Sequence, residues 1–198
     1  MRCGRCVWFV YRSPKSFASF QETEKYRVRG ATVSVPTGLK KVAVLCILRS
    51  NTGFLLIHRS QEPNLGKYVP IGGKLGPFET PRAAAIREVK EETGVSVEDV
   101  RLKGILTETS PTGFNWINYI YTADIAEVAP VKYREGTLEW VDRERLDGIP
   151  TPKTDRFIYD YVSKSEFFVF DAVYDENAEL MTLVDELSGR TLFSKNQS

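Results

Sequence analysis

Three glutamates on one short stretch constrain this chain more than anything else in it. Glu88, Glu91 and Glu92 stand at i, i+3 and i+4. On a helix, all three project to one region of the surface. The flanks argue for a helix. Thr80 is a good N-cap and Pro81 suits the first helical position. Ala83, Ala84 and Ala85 have high helix propensity, and Gly94 is placed to end the helix in a left-handed cap. The pattern predicts a helix from about Pro81 to Glu92. Like charges at these spacings oppose one another by about 0.2–0.5 kcal/mol per pair. Something positive therefore belongs over them. Arg87 and Lys90 compensate in part, and a divalent cation would do so better. An all-oxygen donor set selects a hard ion, Mg2+ or Mn2+. His58 is the single histidine and no second pair of cysteines exists, which argues against zinc. Taken alone, three carboxylates read equally well as an acidic, solvated helix face.

The rest of the chain offers this helix a sheet. Val42 to Leu48 reads as a buried strand, with Phe54 to His58 as its hairpin partner across the 50–53 turn. Lys67 to Ile71 reads as a short strand running into Gly72 and Gly73. Val100 to Thr109 and Trp116 to Ile125 flank a turn at 110–113, and Thr137 to Val141 is a further strand. Thr154 reads as the cap of a helix over 155–164. Phe167 to Tyr174 and Leu180 to Val184 pair as a closing hairpin. Strands with two well-separated helices predict an α/β (α+β) fold, a mixed sheet with helices on its faces. Residues 1–38 show no sustained period and end in Pro36-Thr37-Gly38. The expected layout is a loosely ordered extension at 1–39, a domain at 40–190 and a tail at 191–198.

Composition narrows the function classes. The 198 residues are 42% hydrophobic and 27% charged, far from a disordered composition. Net charge is +1, so the whole chain has no bias toward nucleic acid or acidic membranes. Residues 1–41 nevertheless carry nine Lys/Arg against two acids, a basic arm before an acidic domain. With no RNA-binding fold behind it, the arm reads as solvated chain, and nucleic acid is not an expected partner. Cys3 and Cys6 have the spacing of half a zinc site without the other half. Cys46 reads as a core residue. Three scattered cysteines point to a reducing compartment, taken as the cytoplasm. The first twenty residues, Arg- and Ser-bearing and free of acids, carry organelle targeting as the alternative. The longest apolar run, Val42 to Leu48, is too short to span a bilayer, so no membrane partner is expected.

What separates a metal site from a solvated face is the wider pattern. It reads Gly73-x5-Glu79-x7-Arg87-Glu88-Val89-x-Glu91-Glu92-x-Gly94-Val95. This resembles the Nudix signature at every fixed position. The resemblance implies an α/β/α sandwich and hydrolysis of a nucleoside diphosphate linked to another moiety, X. It implies Mg2+ or Mn2+ held by Glu88, Glu91, Glu92 and the carbonyl of Gly73. Arg87 would orient a helix glutamate, Glu79 would support the loop, and Ala85 and Val89 would face the sheet. The general base would come from Glu88, Glu91 or Glu135.

Within the family, Glu135 to Trp140 resembles the nucleotide-sanitising branch that hydrolyses 8-oxo-dGTP. There a Glu five residues before the Trp joins the metal site, which makes Glu135 the expected outside ligand, with Glu139 its rival. Asp155 matches an acid that contacts the base, and equally an early-helix acid favoured by the dipole. Tyr68 and Val69 stand where the branch places a Trp and a base-reading Asn, and Pro152 stands near a missing stacking Trp. Phe78 replaces the usual Gly before Glu79. The expected substrate contacts are Arg59, Lys74, Val69 and Asp155. For Arg59 a solvated strand end is the favoured reading, and for His58 a structural role. Phe114, Trp116 and Tyr119 read as core in preference to a base-stacking pocket. The expected substrate is an oxidised nucleoside triphosphate, cleaved to monophosphate and pyrophosphate. ADP-ribose, other nucleotide sugars and dinucleoside polyphosphates are the alternatives, and a non-catalytic nucleotide sensor is the alternative of another class. The family also allows a homodimer.

Overall fold

The computed structural model describes residues 24–195, apart from 29–30, 36–37, 130–131 and 134. They fall into two units that divide between residues 37 and 38. In the first, β1 (Glu24–Val28) and β2 (Ala31–Val35) form an antiparallel hairpin, where the sequence shows no sustained period. Cys3, Cys6 and the first twenty residues of the basic arm lie outside the described residues.

The second unit is built on one sheet. In chain order it comprises β3 (Lys41–Arg49), β4 (Gly53–Arg59), β5 (Tyr68–Val69), β6 (Ile71–Lys74), α1 (Pro81–Thr93), β7 (Arg101–Thr109) and β8 (Trp116–Asp124). Then follow β9 (Lys132–Tyr133), β10 (Gly136–Asp142), α2 (Lys153–Ser163), β11 (Phe168–Tyr174), β12 (Leu180–Asp185) and β13 (Arg190–Ser194). The strand order is β13-β12-β11-β7-β8-β3-β4-β10-β9, with β5 added to β4 and β6 to β3. The β3–β8 and β7–β11 pairs are parallel and the others antiparallel, so the sheet is mixed.

Alternation along the central strands decides where each helix packs. Val44, Cys46 and Leu48 of β3, with Leu55 and Ile57 of β4, pack with Ala84, Ala85 and Val89 of α1. Ile47 of β3, with Phe54 and Leu56 of β4, packs with Ile158, Tyr159 and Val162 of α2. The two helices therefore cover opposite faces, the sandwich that the resemblance implies. Burial on both faces also explains why β3 and β4 read as continuous apolar runs. Cys46 is fully buried, and burial pushes its thiol up to about 12, as suits a core residue.

Several elements differ from expectation. The single strand expected at 67–71 is two, because Pro70 has no N–H to give the ladder. Before it the chain pairs with β4, and after it with β3. The second helix starts at Lys153 with Pro152 at the N-cap, and Thr154 is buried inside the first turn. The sheet runs past residue 190, since β13 pairs with β12 through Ser194. Among the described residues no helix is long and apolar enough to cross a membrane.

Candidate active site

The helix that carries the carboxylates is capped as its sequence demands. Thr80 Oγ1 accepts from the Ala83 N–H at 3.3 Å. At the other end Gly94 has φ +74°, and its N–H bonds Lys90 O at 3.0 Å. Ala84, Ala85 and Val89 face the sheet, and Glu92, one turn beyond Val89, is drawn into the same buried stripe.

Arg87 organises the outer half of the site. Its Nε and Nη2 grip the Glu79 carboxylate at 2.8 and 2.9 Å. Nη1 reaches Glu88 at 2.7 Å and Glu91 at 3.1 Å. Nη2 also reaches the Lys74 carbonyl at 3.2 Å. A guanidinium has five N–H donors, and all five have an acceptor here. Arg87 holds the Glu79 carboxyl below the usual carboxylate range, helped by the Gly76 N–H at 2.8 Å. Glu79 therefore ties the loop to the helix.

Glu88 and Glu92 face the glycine loop. A β-carbon added to Gly73 would collide with the Glu88 carboxylate, so only glycine lets that side chain pack against the backbone. The Gly72 N–H donates to Glu92 Oε2 at 3.1 Å. Burial pushes the Glu92 carboxyl up to about 8. The charges of Glu88 and Glu135 push the same way, while the Gly72 N–H and Arg59 oppose. Glu135 thus acts on Glu92 from outside the helix. It stands just before β10, where Gly136 pairs with Arg59, and Arg59 Nη1 holds its Oε2 at 2.7 Å. Glu139 is engaged elsewhere, accepting from the Tyr68 hydroxyl at 2.9 Å.

Gly73, Glu79, Arg87, Glu88 and Glu91 thus form one network, joined through Glu88 and Glu92 to Arg59 and Glu135. Among the described residues, no three Asp, Glu, His or Cys side chains converge as a ready metal cage. The donor set is open, all oxygen, and carries a carboxyl that resists ionising. An open oxygen set suits Mg2+, which keeps waters and shares its shell with phosphates.

Other expected contacts stand differently. Arg59 is no solvated strand end, since its side chain is 14% exposed and ion-paired with Glu135. Val69 lies in the core on the α1 side, so its side chain cannot read a base. Asp155 is no solvated early-helix acid. Burial pushes its carboxyl up to about 8, with Glu108 adding to the push. Glu108 is itself buried and accepts from Asn118 at 2.9 Å and Tyr174 at 2.8 Å. This acid pair was missed, although Gly104, Leu106 and Glu108 share one inward strand face by alternation. His58 stacks on Tyr68, with ring centres 4.5 Å apart. Tyr119 packs against the core. Phe114 and Trp116 do not join it, because they lie at the sheet's open end. Phe114 meets Tyr174 edge-on at 5.2 Å, and Trp116 lies beside Lys41 and Lys74.

Comparison with known proteins agrees with this geometry. Residues 39–165 match the model of the NUDIX domain. A Nudix hydrolase of Bacillus subtilis is 31% identical over 126 residues, 61% of this chain and 78% of that protein. The chloroplastic Nudix hydrolase 26 of Arabidopsis thaliana is 30% identical over 125 residues. That match covers 63% of this chain and only 51% of the plant protein. The crystal structure of a MutT protein from Bacillus halodurans shares the fold. Its TM-score is 0.67 at 24% identity, over 74% of this chain and 98% of that one. With the signature loop, the carboxylate helix and the family match all on the same residues, the chain belongs to the Nudix hydrolase family.

Proposed function

We propose that the chain hydrolyses nucleoside triphosphates, oxidised ones included, to the monophosphate and pyrophosphate with Mg2+ or Mn2+. The observation that supports this reading is that Glu88 packs against Gly73 and Glu92 accepts from the Gly72 N–H, with the charge of Glu135 acting on Glu92. Glu88, Glu91, Glu92, Glu135 and the Gly73 carbonyl would hold the cation. When bound, the cation supplies charge neutralisation on the diphosphate and a lowered pKa for water. The chain's own residues do the rest. Arg87 fixes Glu88, and packing on Gly73 fixes it from the other side. A carboxylate that takes a proton from attacking water must be held in place, which makes Glu88 the candidate base. Glu91, with a side chain 55% exposed, stands at the rim. Arg59 and Lys74 are the candidate phosphate contacts, and Asp155 the candidate base contact.

A second reading, hydrolysis of ADP-ribose or another nucleotide sugar, rests on Val69. Its burial leaves no side chain at that position to select a base. A substrate panel with Mg2+ tests both, following phosphate and pyrophosphate release and the nucleotide product. Monophosphate and pyrophosphate from triphosphates is the expected result. No turnover of any nucleoside diphosphate derivative would sink the hydrolase reading and favour a sensor.

A further inference from the structure

One fully exposed ring stands on the loop that serves the carboxylate helix. Four described residues other than glycine have positive φ: Asn64, Phe78, Ser165 and Ala178. Asn tolerates that conformation, and Ser and Ala are small. Phe78, at φ +65°, is the bulky one, and its side chain is left wholly in water. A strained backbone and a solvated aromatic ring both cost stability, and no packing inside the chain offsets either.

The turn that carries Phe78 is fixed. It runs from Gly76 to Glu79 and closes with the Glu79 N–H on Gly76 O at 3.2 Å. A turn with positive φ at its third position ordinarily takes glycine there. The Gly76 N–H donates in turn to Glu79 Oε2 at 2.8 Å. Arg87 grips Glu79 and also holds Glu88 and Glu91. Phe78 thus stands one residue from the network that supports the helix carboxylates. Strain kept at such a place points to a role in the site.

The surroundings select what the ring meets. The side chains tied to the turn are charged: Glu79, Arg87, Glu88 and Glu91. The centre of a protein interface is apolar and depleted of charge, which one ring among four charges does not provide. A planar aromatic group on a phosphate chain suits both features, with its ring on Phe78 and its phosphates at the carboxylate site. Such stacking tolerates any base, because every base has a π-face.

We propose that Phe78 is a specificity-determining residue whose ring stacks on a planar aromatic group in the departing half of the substrate. Such a group then adds to the affinity that the phosphates alone supply. This inference deepens the hydrolase reading and rests on it for the placement of the phosphates.

In diadenosine tetraphosphate the departing half carries an adenine, whereas in ATP it is bare pyrophosphate. With Mg2+, the ratio of kcat/KM for the first to that for the second should fall about tenfold in Phe78→Gly, the effect of losing one stacked base. Phe78→Tyr and Phe78→Trp, which keep a ring, should keep the ratio. The melting temperature of Phe78→Gly should hold level or rise by about 2–4 °C, because glycine accepts the positive φ. An unchanged ratio in Phe78→Gly, or a melting temperature that falls, overturns the stacking role. So does a concentration-dependent mass that is lost in Phe78→Gly, since a second copy of the chain would then cover the ring. Titration calorimetry of diadenosine tetraphosphate, with Ca2+ in place of Mg2+, separates this role from the hydrolase reading. Binding about tenfold weaker in Phe78→Gly, with no turnover of any nucleotide by the wild type, leaves the stacking standing and removes the hydrolase reading. Turnover of ATP without binding of diadenosine tetraphosphate keeps the hydrolase reading and overturns the stacking.

Discussion

The Glu88 carboxylate rests against the α-carbon of Gly73, in the space a β-carbon would fill. Gly73 is not among the positive-φ glycines, so alanine suits its backbone and fails only on contact with Glu88. Gly73→Ala should therefore cut kcat/KM by about 10–100-fold, as displaced supporting groups at metal sites do. Gly94 offers the contrast. Its φ is +74° and nothing crowds it, so Gly94→Ala strains only the helix cap. That variant should lose about 1 kcal/mol of stability and keep its kcat. Steady-state kinetics beside thermal melts check both. A Gly73→Ala enzyme with normal kinetics would mean that the placement of Glu88 does not matter.

Glu92→Gln tests the metal face. The amide can still accept from the Gly72 N–H, so the fold is kept. Activity should drop by about 100-fold or more, because several kcal/mol of charge stabilisation ride on the cation. The rise in melting temperature on adding Mg2+ should shrink with it. A large stability loss in cation-free buffer would instead make Glu92 a structural residue.

Much of this site can be read in the sequence because its signals are local. Thr80, Pro81 and Gly94 bound the helix, and the spacing of Glu88, Glu91 and Glu92 gives one face. The parts not legible depend on contacts far apart in the chain. That Arg59 clamps Glu135 follows from the register of β4 against β10, 76 residues away. That Val69 turns into the core follows from which strand edge it joins. Lys41 and Lys74 meet over Trp116 only because three strands align. Pro70 was visible as a residue that cannot donate, yet not as the point where the chain changes partner.

Glu135 and Glu139 separate cleanly. Glu135 bears on Glu92 and is held by Arg59, while Glu139 is bonded by Tyr68. Glu135→Gln should lower kcat/KM by about tenfold or more. Glu139→Gln should change it by less than about threefold, with a stability change of about 1 kcal/mol from the weakened Tyr68 bond. Equal, small effects on activity would remove Glu135 from the site.

Asp155 makes stability depend on pH. Its folded carboxyl titrates at about 8 against an ordinary 3.8. Between those values the native chain binds a proton that the unfolded chain does not, so stability falls as pH rises. The contribution is fully present below about pH 3.8 and lost through pH 8. Asp155→Asn, neutral at every pH, should reduce the slope of melting temperature against pH between pH 5 and 8 in cation-free buffer, leaving the part that Glu92 contributes. An unchanged slope would mean that the carboxyl is solvated.

The change of partner at Pro70 leaves one thing untouched. Val69, Ile71 and Gly73 all point to the α1 side, although the first lies on β5 and the others on β6. The odd–even phase of the chain runs through the proline without a slip. A single residue inserted between Val69 and Ile71 would reverse it. Gly73 would then turn its bare face away from α1, and an ammonium group would swing toward Arg87. The placement of Glu88 against Gly73 is keyed to a parity. The count of residues from Val69 to Gly73 cannot change by one without reversing that phase.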